Sequence, residues 1–202
     1  MIRRSSNLKK IFMTSLKIIT STTREKSQGI KVARWITEFA KADTDLDVEL
    51  LDLRAIGLPL MDEPEHPRLG KYTHDHTKEW SKKIAAADAF IIVLGEYNYG
   101  YPAPIKNAID YLFNEWTYKP VAFVSYGGIS AGLRSTQMLK QVVTTLNMMP
   151  IAEQVNIPLF AKLINEDGQF VPDDAIERSA LAMLKELKRW SDAMKPMRQQ
   201  NA

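Results

Sequence analysis

Apolar residues in this chain switch between two spacings, and the switches mark its elements. Residues 16–20 (LKIIT) read as a short strand. Ile30, Ala33, Ile36, Phe39 and Ala40 then recur at helical spacing. Residues 46–53 (LDVELLDL) alternate enough to form a second strand near a sheet edge. A long connection with prolines and glycines, 54–72, leads to a helical stretch at 73–87. Residues 90–94 (FIIVL) are continuously apolar, as in a strand buried on both faces. Helical spacing returns with Ile105, Ala108, Ile109, Leu112 and Phe113. A fourth strand follows at 120–126 (PVAFVSY), then a helix through Met138, Leu139, Val142, Val143 and Leu146. A fifth strand lies within 149–160, and a final amphipathic helix over 173–193 is opened by Pro172 and Asp173. Five strands alternating with five helices predict one doubly wound α/β domain, a five-stranded parallel sheet covered by helices on both faces.

Composition narrows the class. A chain of 202 residues suits one sizeable core, and no run approaches the roughly 18 apolar residues that span a bilayer. The sequence pI near 9.0 suggests nucleic acid until the charges are placed. Arg3, Arg4, Lys9 and Lys10 account for the surplus; without them 23 basic residues face 24 acidic ones. No nucleic-acid partner is therefore expected. Residues 1–13 read as a basic, disordered extension without the apolar core of a secretory signal, ahead of a domain at 14–195. Met13, directly before the first strand, is an alternative start. The absence of cysteine excludes disulfides, iron–sulfur ligation and thiolate catalysis, and fits a cytoplasmic location.

Chemistry concentrates in the loops after the first, third and fourth strands, which converge at the switch point of such a sheet. The first holds Ser21, Thr22, Thr23, Arg24, Ser27 and Gln28 just before a helix. Helix N-termini attract anions, and hydroxyls with a guanidinium suit a terminal phosphate, although capping residues and a solvated arginine would read the same. No G-x-G-x-x-G is present, which disfavours a dinucleotide site. The third-strand loop offers Gly95, Glu96, Tyr97 and Asn98; the fourth offers Ser125, Tyr126, Gly127 and Gly128. Flat rings and permissive backbone suit a planar heteroaromatic ring, and phosphate plus ring describes a mononucleotide such as FMN.

The segments STTREKS, GEYNYGYPAPIKNAIDYL and SYGGISAGLR resemble the NAD(P)H-dependent FMN reductase family, over roughly residues 15–158. The resemblance implies a flavodoxin-like three-layer sandwich with FMN as cofactor and NAD(P)H as co-substrate. It implies phosphate contacts from Thr22, Arg24 and Ser27, and ring contacts from Glu96, Tyr97, Asn98, Ser125, Tyr126, Gly127 and Gly128. It further implies ping-pong hydride transfer to a small-molecule electron acceptor, with no side-chain acid or base, in a homodimer or dimer of dimers. Gly95 stands where the family usually has proline, so it either loosens the loop or adds an N–H toward the flavin. An electron carrier of flavodoxin type is the competing reading, but such carriers are usually strongly acidic. A receiver domain lacks its acidic cluster here, with Thr20, Ser21 and Gly95 in those places.

His66, His74 and His76 invite a metal reading, but no carboxylate arrangement supports one, so no metal site is assigned and they are expected at the surface near the substrate entrance. Trp35, Trp80 and Trp190 are expected to pack partly buried, and Trp116 to lie at a subunit contact.

Overall fold

The computed structural model describes residues 13–199, so the expectations for the basic extension lie almost wholly outside it. Strands β1 (Ser15–Thr20), β2 (Asp47–Leu51), β3 (Ala89–Leu94) and β4 (Pro120–Tyr126) are all parallel and lie in the order β2-β1-β3-β4. Helices α1 (Gly29–Asp43), α2 (Asp75–Ala85), α3 (Ala103–Asp110), α4 (Leu133–Thr144) and α5 (Asp174–Gln199) cover the sheet. Alternate strand residues divide the core. Leu16, Ile18, Ile91, Val93, Ala122 and Val124 pack against α1 and α5. Ile19, Phe90, Ile92, Leu94, Val121 and Phe123 pack against α2, α3 and α4. Both faces of β1 and β3 are thus apolar, which is why these strands read as continuous rather than alternating runs.

The fifth strand differs from its expectation. It is two short pieces, β5 (Met149–Pro150) and β6 (Val155–Ile157), both paired with β4. Between Val121↔Pro150 and Val124↔Val155 the partner chain advances two residues more than β4, and this excess interrupts the ladder. The last helix also runs past its expected end at residue 193, with Pro196 inside it. Arg198 anchors that extra length, donating to Asp88 Oδ1 at 3.0 Å and to the Tyr118 carbonyl at 3.1 Å.

Trp116 is not at a surface. It is 1% exposed, lies 5.0 Å from Phe90 and 6.2 Å from Trp80 between ring centroids, and donates its indole N–H to Ile109 O. Trp80 is equally buried.

The long connection carries a helical turn, Leu53–Ile56, and is pinned to α3. Asn107 donates to Pro59 O at 2.6 Å and accepts from Met61 N at 2.9 Å. Tyr111 donates to Asp62 Oδ1 at 3.0 Å, and burial with that carboxylate pushes its phenol up to about 12. Asn107→Leu is expected to cost about 1–2 kcal/mol in urea denaturation and to speed proteolytic nicking near residues 58–62. Unchanged nicking would mean that the connection is held elsewhere.

Candidate functional site

The loops after β1, β3 and β4 leave the same edge of the sheet. Chain order reverses between β1 and β3, since β2 lies to one side of β1 and β3 to the other. This is the position at which doubly wound sheets bind ligands.

The first loop is tied inward. Ser21 is buried, and its hydroxyl accepts from Gly95 N at 3.2 Å. Thr22 and Ser27 hydrogen-bond through their hydroxyls, and Ser27 Oγ accepts from Gly29 N at 3.3 Å. Helix α1 begins here with Gln28 as N-cap, no side-chain cap bond and no acidic residue in its first turn. Its leading N–H groups and dipole therefore face the loop without a built-in anion. Arg54 fastens the loop's tip by donating to Glu25 O at 2.7 Å. Arg24 is exposed, with its guanidinium 5.4 Å from the centroid of the Tyr97 ring.

After β3 the chain folds into a two-residue hairpin. Tyr97 and Gly100 exchange backbone hydrogen bonds of 2.9 Å, and Asn98 (φ 49) and Tyr99 (φ 72) both adopt left-handed backbone. Positive φ at both central positions is the signature of the type I′ turn; asparagine accepts it readily, tyrosine with strain. A clasp holds the strained turn. Glu96 pairs with Arg134, whose Nε donates to Oε1 at 2.7 Å, and Ser130 donates to the same oxygen at 3.3 Å. The Arg134 guanidinium lies 3.6 Å over the Tyr99 ring. Burial opposes ionisation of Glu96, but the hydrogen bond and charge of Arg134 outweigh it and hold its carboxyl below the usual glutamate range. Because that value is depressed in the folded chain, the clasp's contribution is full above pH ~4.5 and is lost as pH falls through the lower, folded value. Acid titration followed by tyrosine fluorescence is expected to show the turn loosening only below that pH; loosening near neutrality would contradict the pairing.

The fourth-strand loop is shaped by glycine. Gly132 caps α4 in left-handed backbone, φ 75. A Cβ on Gly128 would meet nothing within 4 Å, so this segment borders open space. Ser125 is fully buried and donates to Asn156 Oδ1 at 3.0 Å.

The twelve residues singled out in the sequence thus gather at one end of the sheet, but not all face outward. The expected donor at Gly95 turns into the protein, its N–H going to Ser21, and the Gly127 N–H likewise goes to Ile157 O. Gly95 is also held by Ser135, whose hydroxyl donates to its carbonyl at 2.8 Å, so the loop is braced rather than loosened. Glu96 Oε1 and the Ser125 hydroxyl serve neighbours, Thr22 is buried in its bond to Ser27, and Arg24, Tyr97, Asn98 and Gly128 are exposed at the loop tips. Sequence reasoning missed Arg134, Ser130, Asn156 and Gly29. A glycine opening an otherwise regular helix beside a serine-rich loop was the one available signal, since only a close approach explains it. His74 and His76 stack 5.2 Å apart and face Asp62, tying the connection to α2; no group of three or more His, Cys, Asp or Glu is placed to hold a metal among the described residues.

A doubly wound sheet whose first, third and fourth strand loops gather at the switch point, with an acid-free helix start beside the first, is the flavodoxin-like arrangement. The chain belongs to the NADPH-dependent FMN reductase family, whose profile matches residues 14–162. An NAD(P)H-dependent FMN reductase of Schizosaccharomyces pombe is 44% identical over 133 residues, 65% of this chain and 66% of that protein. One from Saccharomyces cerevisiae is 34% identical, taking in 83% of this chain and 92% of its own length. Among solved structures, a flavoenzyme NAD(P)H:(acceptor) oxidoreductase from Paracoccus denitrificans superimposes with a TM-score of 0.67. At 22% identity, covering 91% of this chain and 98% of that one, it shows the shared fold.

Proposed function

We propose that the chain is an oxidoreductase that binds FMN across the three loops and carries reducing equivalents from NAD(P)H to a small acceptor: a flavin, quinone, azo compound or metal ion. The observation that carries this reading is the acid-free start of α1 beside Thr22, Arg24 and Ser27, a donor set matched to a phosphomonoester. When bound, FMN would supply the hydride chemistry, taking two electrons from the nicotinamide and releasing them to the acceptor that follows it. The chain's own residues bind and orient. Thr22, Arg24 and Ser27, with Gln28 at the helix cap, hold the phosphate. Tyr97, Asn98 and the Gly127–Gly128 segment border the ring. Gly95, Glu96 and Ser125 fix those walls through Ser21, Arg134 and Asn156. No side chain has to move a proton for hydride transfer itself.

Domain and assembly follow the same reading. Residues 14–195, together with the end of α5 to Gln199, form one FMN-binding unit that works in the cytoplasm as a homodimer or dimer of dimers. Exposed Tyr99, Ile129, Leu133 and Met138, on and beside the third- and fourth-strand loops, support a subunit contact there. No helix among the described residues is long and apolar enough to cross a membrane. Steady-state oxidation of NADH and NADPH with an added quinone tests the activity. Turnover with at least one nucleotide is expected; flavin-loaded protein inert to both would instead be an electron carrier.

A further inference from the structure

Tyr126 does not lie where a ring-flanking residue should. It leaves the end of β4 on the face covered by α1 and α5, its ring 5.2 Å from that of Phe160. From there its hydroxyl reaches under the neighbouring strands to the first loop. Two glycines make room for it. A Cβ on Gly29 would collide with the hydroxyl and lie 3.0 Å from Cζ. A Cβ on Gly95 would lie 3.0 Å from the hydroxyl and 3.3 Å from Cζ. The Gly29 contact leaves no room for any Cβ, and the Gly95 contact is tight enough that the phenol would have to give by a few tenths of an ångström.

The seat has polar neighbours. A Cβ on Gly29 would meet Thr22 Oγ1 at 3.3 Å as well as the phenol, and burial pushes the pKa of Tyr126 up against the hydrogen bonds of Thr22 and Ser27. Thr22 and Ser27 are already bonded to one another, and Ser27 Oγ accepts from Gly29 N. Three hydroxyls therefore meet at the amino end of α1, and the third comes from a different strand. A hydroxyl that takes a bond from a fixed donor has its own hydrogen free to point elsewhere.

We propose that Tyr126 is a positioning residue for the phosphate end of the flavin site. Its hydroxyl, seated in the notch between Gly29 and Gly95, orients the hydroxyls of Thr22 and Ser27 toward the phosphate and locks the first loop to the third. This rests on reading the first loop as the phosphate site, and it takes Tyr126 out of the ring wall.

Comparing FMN with riboflavin, which has the same ring and no phosphate, separates the roles. Affinities are measured by quenching of flavin fluorescence on apoprotein, with a thermal melt for each variant. Tyr126→Phe keeps the ring's packing and removes only the hydroxyl. FMN binding is expected to weaken roughly three- to tenfold, as for one net hydrogen bond, with riboflavin binding unchanged. Gly29→Ala, whose Cβ collides with the hydroxyl, should give the same FMN-selective loss, and should add little on a Tyr126→Phe background. Equal affinity of Tyr126→Phe and wild type for FMN would overturn the proposal. So would a parallel loss for FMN and riboflavin, the mark of a ring-wall or purely structural residue. Wild-type protein that binds riboflavin as tightly as FMN would overturn the phosphate reading, and this inference with it.

Discussion

Arg24→Ala is expected to weaken FMN binding about ten- to a hundredfold while leaving riboflavin affinity nearly intact. The side chain is exposed and poised between the first loop and the Tyr97 ring, at the amino end of a helix with no acidic residue in its first turn. It makes no ion pair that a ligand would have to break among the described contacts, so its charge is available to a phosphate. Charge-assisted hydrogen bonds of this kind contribute about 1.5–3 kcal/mol, which converts to that range of affinity. Arg24→Lys should recover only part of the loss, because an ammonium cannot grip two oxygens in one plane. Titration of apoprotein with each flavin, at two salt concentrations, makes the test. An unchanged FMN affinity for Arg24→Ala would remove this residue from the phosphate site.

Gly132→Val should cost stability rather than affinity. Its backbone sits at φ 75, a region that costs a non-glycine residue about 1–3 kcal/mol, and more for a β-branched one. Its Cβ would also press on Tyr126 O at 3.0 Å, Ser125 Cβ at 3.2 Å and Leu94 O at 3.3 Å. Two of these are backbone carbonyls of the central strands β3 and β4, which cannot yield without breaking ladder bonds. Overpacking of that kind adds about 1–3 kcal/mol. Together the two costs predict a melting temperature lower by roughly 5–20 °C. Gly128→Val is the control. Its Cβ meets nothing within 4 Å, so the melt should be unaffected and any loss should appear in flavin binding. A Gly132→Val protein that melts like wild type would mean that α4 can start without this left-handed cap.

The fold was legible because burial on both faces leaves an unmistakable trace. β3 and β4 are wholly apolar in their central residues, and their predicted limits stand within a residue or two of those observed. What escaped was set by pairing rather than composition. The fifth strand splits because of a register excess against β4, which no local pattern encodes. The last helix outruns its expected end because Arg198 finds partners 80 and 110 residues away. Trp116 was misplaced because a tryptophan after a surface-facing motif has no sequence sign of the Trp80 and Phe90 rings that enclose it.

At the site, the sequence located the loops but not the directions of their side chains. Ser21 and Gly95 lie 74 residues apart and turn their polar groups on one another. Glu96 finds Arg134 from a separate helix, and the arginine so held covers the ring of Tyr99, which stands in left-handed backbone. Such contacts follow from the packing of loops in space, so donors that sequence alone assigns to a ligand can be spent within the protein.

The measurement closest to the central claim is an anaerobic half-reaction. Purified protein is loaded with FMN, freed of unbound flavin, and mixed with NADPH or NADH while the visible flavin absorbance is followed. The account predicts one FMN per chain, bleaching of that absorbance by a nicotinamide in the absence of any other protein, and recovery when a quinone is added. Protein that retains no FMN, or FMN that stays oxidised before both nucleotides, would contradict it.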